Sequence, residues 1–166
     1  LQGNSFASRS VAYNLAALET ADELFADERY RDSLWVYRLV YPHATIKEKS
    51  QYYLEDLQRD AERLRESQGR YRELLRVQEA IAEVESEIEA INGVEQYDTE
   101  LYFRMARAYL ETRRFREARV LFLYLHQTAQ GEAAEEALYL AFHCSTQIKP
   151  WDRAFALGRQ YMDTYP

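Results

Sequence analysis

The sequence predicts an all-α protein, and three observations carry that prediction. Only five Gly and three Pro occur in 166 residues, too few for a chain of tight β-turns. Apolar residues recur at spacings of three and four, the period of a helix with one buried stripe, and not in strict alternation. The stretch Leu101 to Gln130 holds two such stripes, Leu101/Tyr102/Met105/Ala106/Tyr109 and Ala118/Leu121/Phe122/Leu125, separated by the polar break Thr112-Arg113-Arg114. Two stripes with a short break between them make an αα-hairpin. At its crossing Ala106 and Ala118 are small where backbones approach, and Tyr102, Tyr109, Phe115 and Phe122 are large where a groove must be filled.

In chain order, the first helix is expected from about Ser8 to Ala26 on Val11, Leu15, Leu18, Ala21, Leu24 and Phe25. Asp27-Glu28 interrupts it, and a second stripe follows at Tyr30, Leu34, Tyr37 and Tyr41, with Pro42 expected to stop that helix for want of an N–H. Residues 46–92 are rich in Glu, Arg and Gln and carry two heptad seams: Leu54, Leu57, Ala61, Leu64, Tyr71, then Leu74, Val77, Ile81, Val84, Ile88, Ile91. The seams are out of register, and Ser67-Gln68-Gly69 precedes the slip. Two antiparallel helices of about twenty residues, each roughly 30 Å long, are the favoured reading, and one helix of roughly 65 Å is the competitor. Asn92-Gly93 is expected to close that segment in the left-handed conformation, and Asp98 or Thr99 to cap the next helix. A further pair is expected from about Glu132, with Ala134, Leu138, Ala141 and Phe142 in one helix and Trp151, Ala154, Phe155, Leu157 and Tyr161 in the other. The organisation is therefore a helix pair over 1–45, a long coiled-coil-like hairpin over 46–93, and two pairs over 94–166, at about 99–131 and 132–166.

Composition narrows the function classes. The formal charge is −7, and basic residues are interleaved with acidic ones, so the electrostatic footprint of a nucleic-acid binder is missing. No run reaches the roughly 18 to 20 apolar residues that span a bilayer. A single Cys144 rules out an intramolecular disulfide framework. The chain begins at Leu1, the expectation for a processed chain or an excised segment of a longer protein. His43, His126 and His143 are scattered, and no Gly-rich loop or nucleophile elbow is present, so no catalytic residue, metal ligand or cofactor is expected. His143 and Cys144 are adjacent and point about 100° apart on a helix, so they would not jointly grip one metal, and Cys144 reads as a buried structural cysteine and not as a ligand or nucleophile. Glu132, Glu135 and Glu136 read as a helix start.

The stretch opened by Leu101 resembles a tetratricopeptide repeat: large at position 4 (Tyr102), apolar at 7 (Met105), small at 8 (Ala106), aromatic at 11 (Tyr109), aromatic at 17 (Phe115), Ala at 20 (Ala118) and aromatic at 24 (Phe122). Ala21, Leu24, Tyr30, Ser33 and Tyr37 take the places of Ala106, Tyr109, Phe115, Ala118 and Phe122 in a degenerate first repeat. Ala154 follows Ala118 by about 36 residues, near the roughly 34 of the ideal repeat. Trp151 at position 17 and Pro166 at 32 fit the pattern, whereas Phe142 at 8, Ser145 at 11 and Gly158 at 24 depart from it. The fold implied is an α-solenoid of stacked helix pairs with the long hairpin inserted.

The resemblance is to the repeats of bacterial cell-envelope proteins of the Tol-Pal-associated and outer-membrane-assembly lipoprotein kind, on the segment Phe115 to Gln127 and the ending Tyr161 to Pro166. It implies a non-catalytic scaffold in the periplasm or cell envelope, with the cytoplasm as the alternative, holding a peptide or helix of a partner protein on its concave face. The contact positions of such repeats fall here on Glu100, Phe103, Arg107, Leu110 and Glu111, then on Glu136, Tyr139, His143, Thr146 and Gln147. Phe103 and Tyr139 would supply rings, Arg107 and His143 donors. The Lys and Asn of the family's carboxylate-clamp subtype are absent. A structural module in which the apolar hairpin seams drive homo-oligomerisation is the alternative function, and an accessory role beside a separate catalytic domain is a third.

Overall fold

The computed structural model describes residues 10–67 and 69–165; Ser8, Gln68 and Pro166, which entered the expectations above, lie outside them. The described residues are all-helical, in the order α1 (Val11–Ala26), α2 (Tyr30–Tyr37), α3 (His43–Glu66), α4 (Tyr71–Asn92), α5 (Asp98–Glu111), α6 (Phe115–Thr128), α7 (Glu132–Thr146) and α8 (Asp152–Thr164). They fall into two compact units. One joins 1–15 to 41–97, the other 16–40 to 98–166, so the chain passes from the first to the second inside α1.

In the unit formed by 16–40 and 98–166, α2 packs on α5, α5 on α6, α6 on α7 and α7 on α8. Its core is Ala106, Ala118, Phe122, Leu125, Ala137, Ala141 and Cys144, all without exposed surface, with Tyr102, Tyr109, Phe115 and Leu157 packed around it. Alanines at the crossings bring backbones together, and Phe122 fills the space left between them. Burial raises the Cys144 thiol to about 11, which leaves it protonated and inert near neutrality.

The turns from α1 to α2 and from α5 to α6 are built alike. In the first, the amides of Asp27, Glu28 and Arg29 donate to the carbonyls of Glu23, Phe25 and Leu24; in the second, Thr112, Arg113 and Arg114 donate to Ala108, Leu110 and Tyr109. The middle residue, Glu28 or Arg113, has φ 60°. Each turn ends in an arginine paired with a carboxylate three residues on, Arg29 with Asp32 at 2.7 Å and Arg114 with Glu117 at 2.5 Å. Ala21 and Ser33 are fully buried, like Ala106 and Ala118, and Ser33 hides its hydroxyl by donating to the Tyr30 carbonyl. Asp22 ties three helices of this unit: Tyr37 donates to it at 2.7 Å, and Arg104, which also pairs with Glu100, reaches it from α5.

In the unit formed by 1–15 and 41–97, α3 and α4 lie along one another after a turn containing Gly69 at φ 89°, so the heptad stretch is two helices and not one. Val11, Ile46 and Ile91 form the core at the hairpin's root, with Tyr41 and Val94 against it. Polar groups are matched there as well: Tyr41 N–H donates to Asn14 at 2.6 Å, Tyr97 hydroxyl to the Tyr41 carbonyl at 2.8 Å, and His43 Nε2 to the Ile91 carbonyl at 2.9 Å. That last bond requires a proton on Nε2, because a carbonyl only accepts.

Four local expectations are corrected. α2 ends at Tyr37, well before Pro42, because Leu39 and Val40 donate to carbonyls three residues back and tighten out of the helix; Pro42 is the residue before α3 instead. Gly93 closes α4 in the right-handed region, at φ −77°, with its N–H on the Glu89 carbonyl. α5 begins at Asp98 itself, so Asp98 and Glu100 act from its first turn as carboxylates facing the positive end of the helix dipole. Tyr71, assigned to a seam, is 70% exposed.

Candidate protein-binding surface

The ten residues expected to contact a partner sit on α5, α7 and the residue after α7. Phe103 is half-buried, its ring edge-on to Phe122 with centroids 5.7 Å apart. The Arg107 guanidinium lies 5.3 Å over the Phe103 ring and reaches across to Glu136 of α7 at 2.6 Å. Three of the ten are thereby joined in one chain: ring, cation, carboxylate. Both charged side chains remain about half exposed, so the pair is open to competition by a ligand's own carboxylate or cation. Tyr139 follows on α7, 48% exposed, with its ring 5.9 Å from Tyr161. Tyr161 in turn donates to Glu135 at 3.0 Å, and that hydrogen bond, ahead of its burial, holds the phenol above its ordinary pKa.

The other expected residues scatter. Glu100 is occupied by Arg104. Leu110 is half-buried against the core, and Glu111 instead lines an open cleft of about 530 Å³ with Glu28, Arg29, Tyr30, Arg31, Asp32, Thr112 and Arg113, where the two similar turns meet. His143 is exposed, Thr146 donates to the His143 carbonyl at 2.7 Å, and Gln147 donates to Thr146 at 3.2 Å. Thr146 also borders a second, apolar cleft, described below. The surface that coheres is thus Phe103, Arg107, Glu136 and Tyr139.

The aromatic reading is corrected at one end of the chain. Tyr102, Tyr109, Phe115 and Phe122 fill grooves, but Trp151 and Phe155, expected in the apolar stripe of the last helix, are 51% and 76% exposed. They line a cleft of about 480 Å³ with Phe142, Thr146, Ala154, Gly158, Arg159 and Met162. Gly158 stands where Phe122 stands one pair earlier. A Cβ on Gly158 would lie 3.1 Å from the Phe142 ring, so Phe142 has moved into the space that the missing side chain leaves. The departures at Phe142 and Gly158 were legible as departures; that they open a cleft was not.

No group of three or more His, Cys, Asp or Glu among the described residues is placed to hold a metal ion. No helix among them is long and apolar enough to cross a membrane. No family model matches the chain, and no curated protein or solved structure matches it either.

Proposed function

We propose that this chain is a tetratricopeptide-type scaffold without catalytic activity, which holds a peptide or helix of a partner protein on the face of α5 and α7 and works in the bacterial cell envelope. The observation that carries the reading is the likeness of the α1–α2 and α5–α6 turns: the same donors and acceptors, the same left-handed middle residue and the same Arg–carboxylate pair. Such likeness, together with fully buried small residues at Ala21/Ser33 and Ala106/Ala118, supports a repeated helix pair. In a stack of such pairs α5 and α7 are the first helices and face a common groove. The Phe103–Arg107–Glu136–Tyr139 surface supplies it with rings that cost little entropy on binding and with an exchangeable ion pair.

The test is a cross-linking pull-down from envelope and cytosolic fractions with wild type and the Arg107→Ala, Tyr139→Ala double variant. Both positions are about half exposed, so the variant keeps its fold. A partner captured from the envelope fraction by wild type and lost by the variant supports the reading. An unchanged partner list removes the α5/α7 face, and cytosolic capture alone removes the envelope. The alternative, self-association through the hairpin, is favoured by Tyr52 at 66% and Tyr71 at 70% exposure and by seam residues Leu74, Val77, Ile81 and Ile88 that are only half-buried.

A further inference from the structure

Three arginines without a partner converge between the N-terminal ends of α6 and α8, and we propose that Arg116, Arg119 and Arg153 form an anion site for a phosphate group, free or as the headgroup of a phosphomonoester lipid. This goes beyond the protein-binding reading and does not depend on it.

The register of the helices brings the three together. α6 and α8 both pack on α7, each joined to it by a short connection, and so run in the same direction. They touch near their C-terminal ends, where Gln160 donates to His126 Nε2 at 3.3 Å and the Tyr165 ring stands 6.4 Å from the imidazole. His126 donates from Nδ1 to the Ala134 carbonyl at 3.1 Å, which leaves Nε2 as the acceptor that Gln160 needs. Seven residues make two helical turns to within about 20°. Seven residues back from each contact residue stand Arg119 on α6 and Arg153 on α8, facing one another two turns nearer the N-terminal ends. Arg116 lies one turn before Arg119 on the same side of α6. Their charges are felt at Arg119: burial first, then Arg153, then Arg116 hold its guanidinium below the ordinary pKa.

The protein itself does not neutralise this cluster. None of the three makes an ion pair among the described residues, and Arg119 keeps its Nε from solvent with no hydrogen-bond partner. Glu117, in the turn that holds Arg116, is taken by Arg114 at 2.5 Å, and Asp152, beside Arg153, forms no ion pair. The Cys144 thiol within electrostatic reach of Arg119 is protonated. Arg116 and Arg153 are each the second residue of their helix, where the positive end of the dipole disfavours a cation and favours an anion. A chain of net charge −7 thus gathers three unpaired guanidiniums and two helix starts in one place. A buried donor without a partner and like charges side by side are both costly until a ligand brings negative charge.

The donor set selects the ligand. A guanidinium is a planar fork that grips an oxyanion through two oxygens at once. Three forks from two helices exceed what the two oxygens of a carboxylate can accept, and they suit a phosphate group, with its three acceptor oxygens and charge of about −2. Arg119 is half-buried and Arg116 and Arg153 are exposed, so the site is anchored on one side and open to solvent on the other.

Isothermal titration with sodium phosphate up to about 20 mM, against sodium chloride of equal ionic strength, covers a Kd of about 1 mM and tests the site. The expected result is saturable binding by wild type, at least tenfold weaker in Arg119→Met and in Arg153→Gln. Arg76→Gln, at an exposed arginine of α4, controls for the loss of one charge and should bind as wild type does. Arg153 is exposed, so its substitution keeps the fold, and far-UV circular dichroism checks all three variants. Co-sedimentation with phosphatidylcholine vesicles, with and without phosphatidic acid, separates the two sources. Capture by phosphatidic acid that both site variants lose assigns the headgroup, and phosphate binding without capture assigns the free ion. A wild type that binds neither overturns the proposal. So does binding that Arg119→Met or Arg153→Gln leaves undiminished, or that Arg76→Gln weakens as much.

Discussion

Around Ala118 the α5–α8 stack is packed from all sides, whereas along the Leu74 to Ile91 seam the hairpin is not. The cluster of Ala106, Ala118, Phe122, Leu125, Ala137, Ala141 and Cys144 is without exposed surface, while in the seam only Val84 and Ile91 are buried and Leu74, Val77, Ile81 and Ile88 stay half open. Yet the hairpin has the stricter apolar period. The difference teaches that periodicity says which face turns inward, and the number of neighbouring helices says how far. α3 and α4 have mainly each other; α6 has α5 on one side and α7 on the other. A lone helix pair leaves the flanks of its seam in water however regular the heptads are.

The largest expected effect that tests this contrast is Phe122→Ala against Ile81→Ala. Removing the fully buried ring should cost about 3 to 5 kcal/mol, while the half-buried isoleucine should cost about 1 kcal/mol, in proportion to the smaller apolar area lost. Both tryptophans, Trp35 and Trp151, belong to the unit formed by 16–40 and 98–166, so their fluorescence during urea unfolding follows that unit and far-UV circular dichroism follows both. Equal losses would end the contrast. Next comes overpacking: Ala118→Leu should destabilise by roughly 1 to 3 kcal/mol. Ala61→Leu, at an equally buried site in the hairpin, should cost less than about 1 kcal/mol, because two helices with few outer neighbours can move apart.

A smaller effect attaches to the hydrogen bonds of Asp22. Tyr37→Phe removes the 2.7 Å donation and should cost about 1 kcal/mol near neutrality. Burial first, and the nearby Glu100 second, raise the Tyr37 phenol from 10.0 to about 12. Its neutral form is therefore favoured by folding. That contribution is intact below pH 10.0 and is lost as pH rises toward about 12, so the stability gap between wild type and Tyr37→Phe should close across that window in urea melts. Smallest of all are two arginines. Arg107→Ala should change stability by no more than about 0.5 kcal/mol, since its ion pair is half exposed. Arg119 keeps its Nε from solvent without a partner, and burial, then Arg153 and Arg116, lower its pKa. Arg119→Met should be neutral or stabilising by up to about 1 kcal/mol, because it relieves an unpaired polar group; a clear loss would reveal a partner for it.

The helix pairs and their facing residues were legible because a helix's buried stripe is a local property of spacing. Ala106, Ala118 and Phe122 are each at a crossing, and Cys144 is buried, as expected of a structural cysteine. The expected contact residues were less legible. Arg107 and Glu136 were placed on one face only by what the resemblance to a repeat family implies, and nothing in the order of residues says that they pair across α5 and α7. The cleft at Gly158 arises from Phe142 moving over a missing side chain, a response that only three dimensions contain. The break at Asp27-Glu28 was legible, but its left-handed backbone was not, since a glutamate rarely takes φ 60° and does so there through the three backbone bonds that hold it.

Sequence by itself determined the helical class, the position of most helices and the inward faces, because 3.6-residue spacing and the rarity of Gly and Pro act within one helix at a time. Tertiary structure alone decided the depth of burial, the pairing of Arg107 with Glu136 and of Arg104 with Asp22, the openness of Trp151 and Phe155, and the grouping of residues 16–40 with 98–166 across the hairpin between them. Those depend on which helices become neighbours, and neighbours distant in the chain are chosen by the sum of many packing contacts, none of which is written in any one stretch.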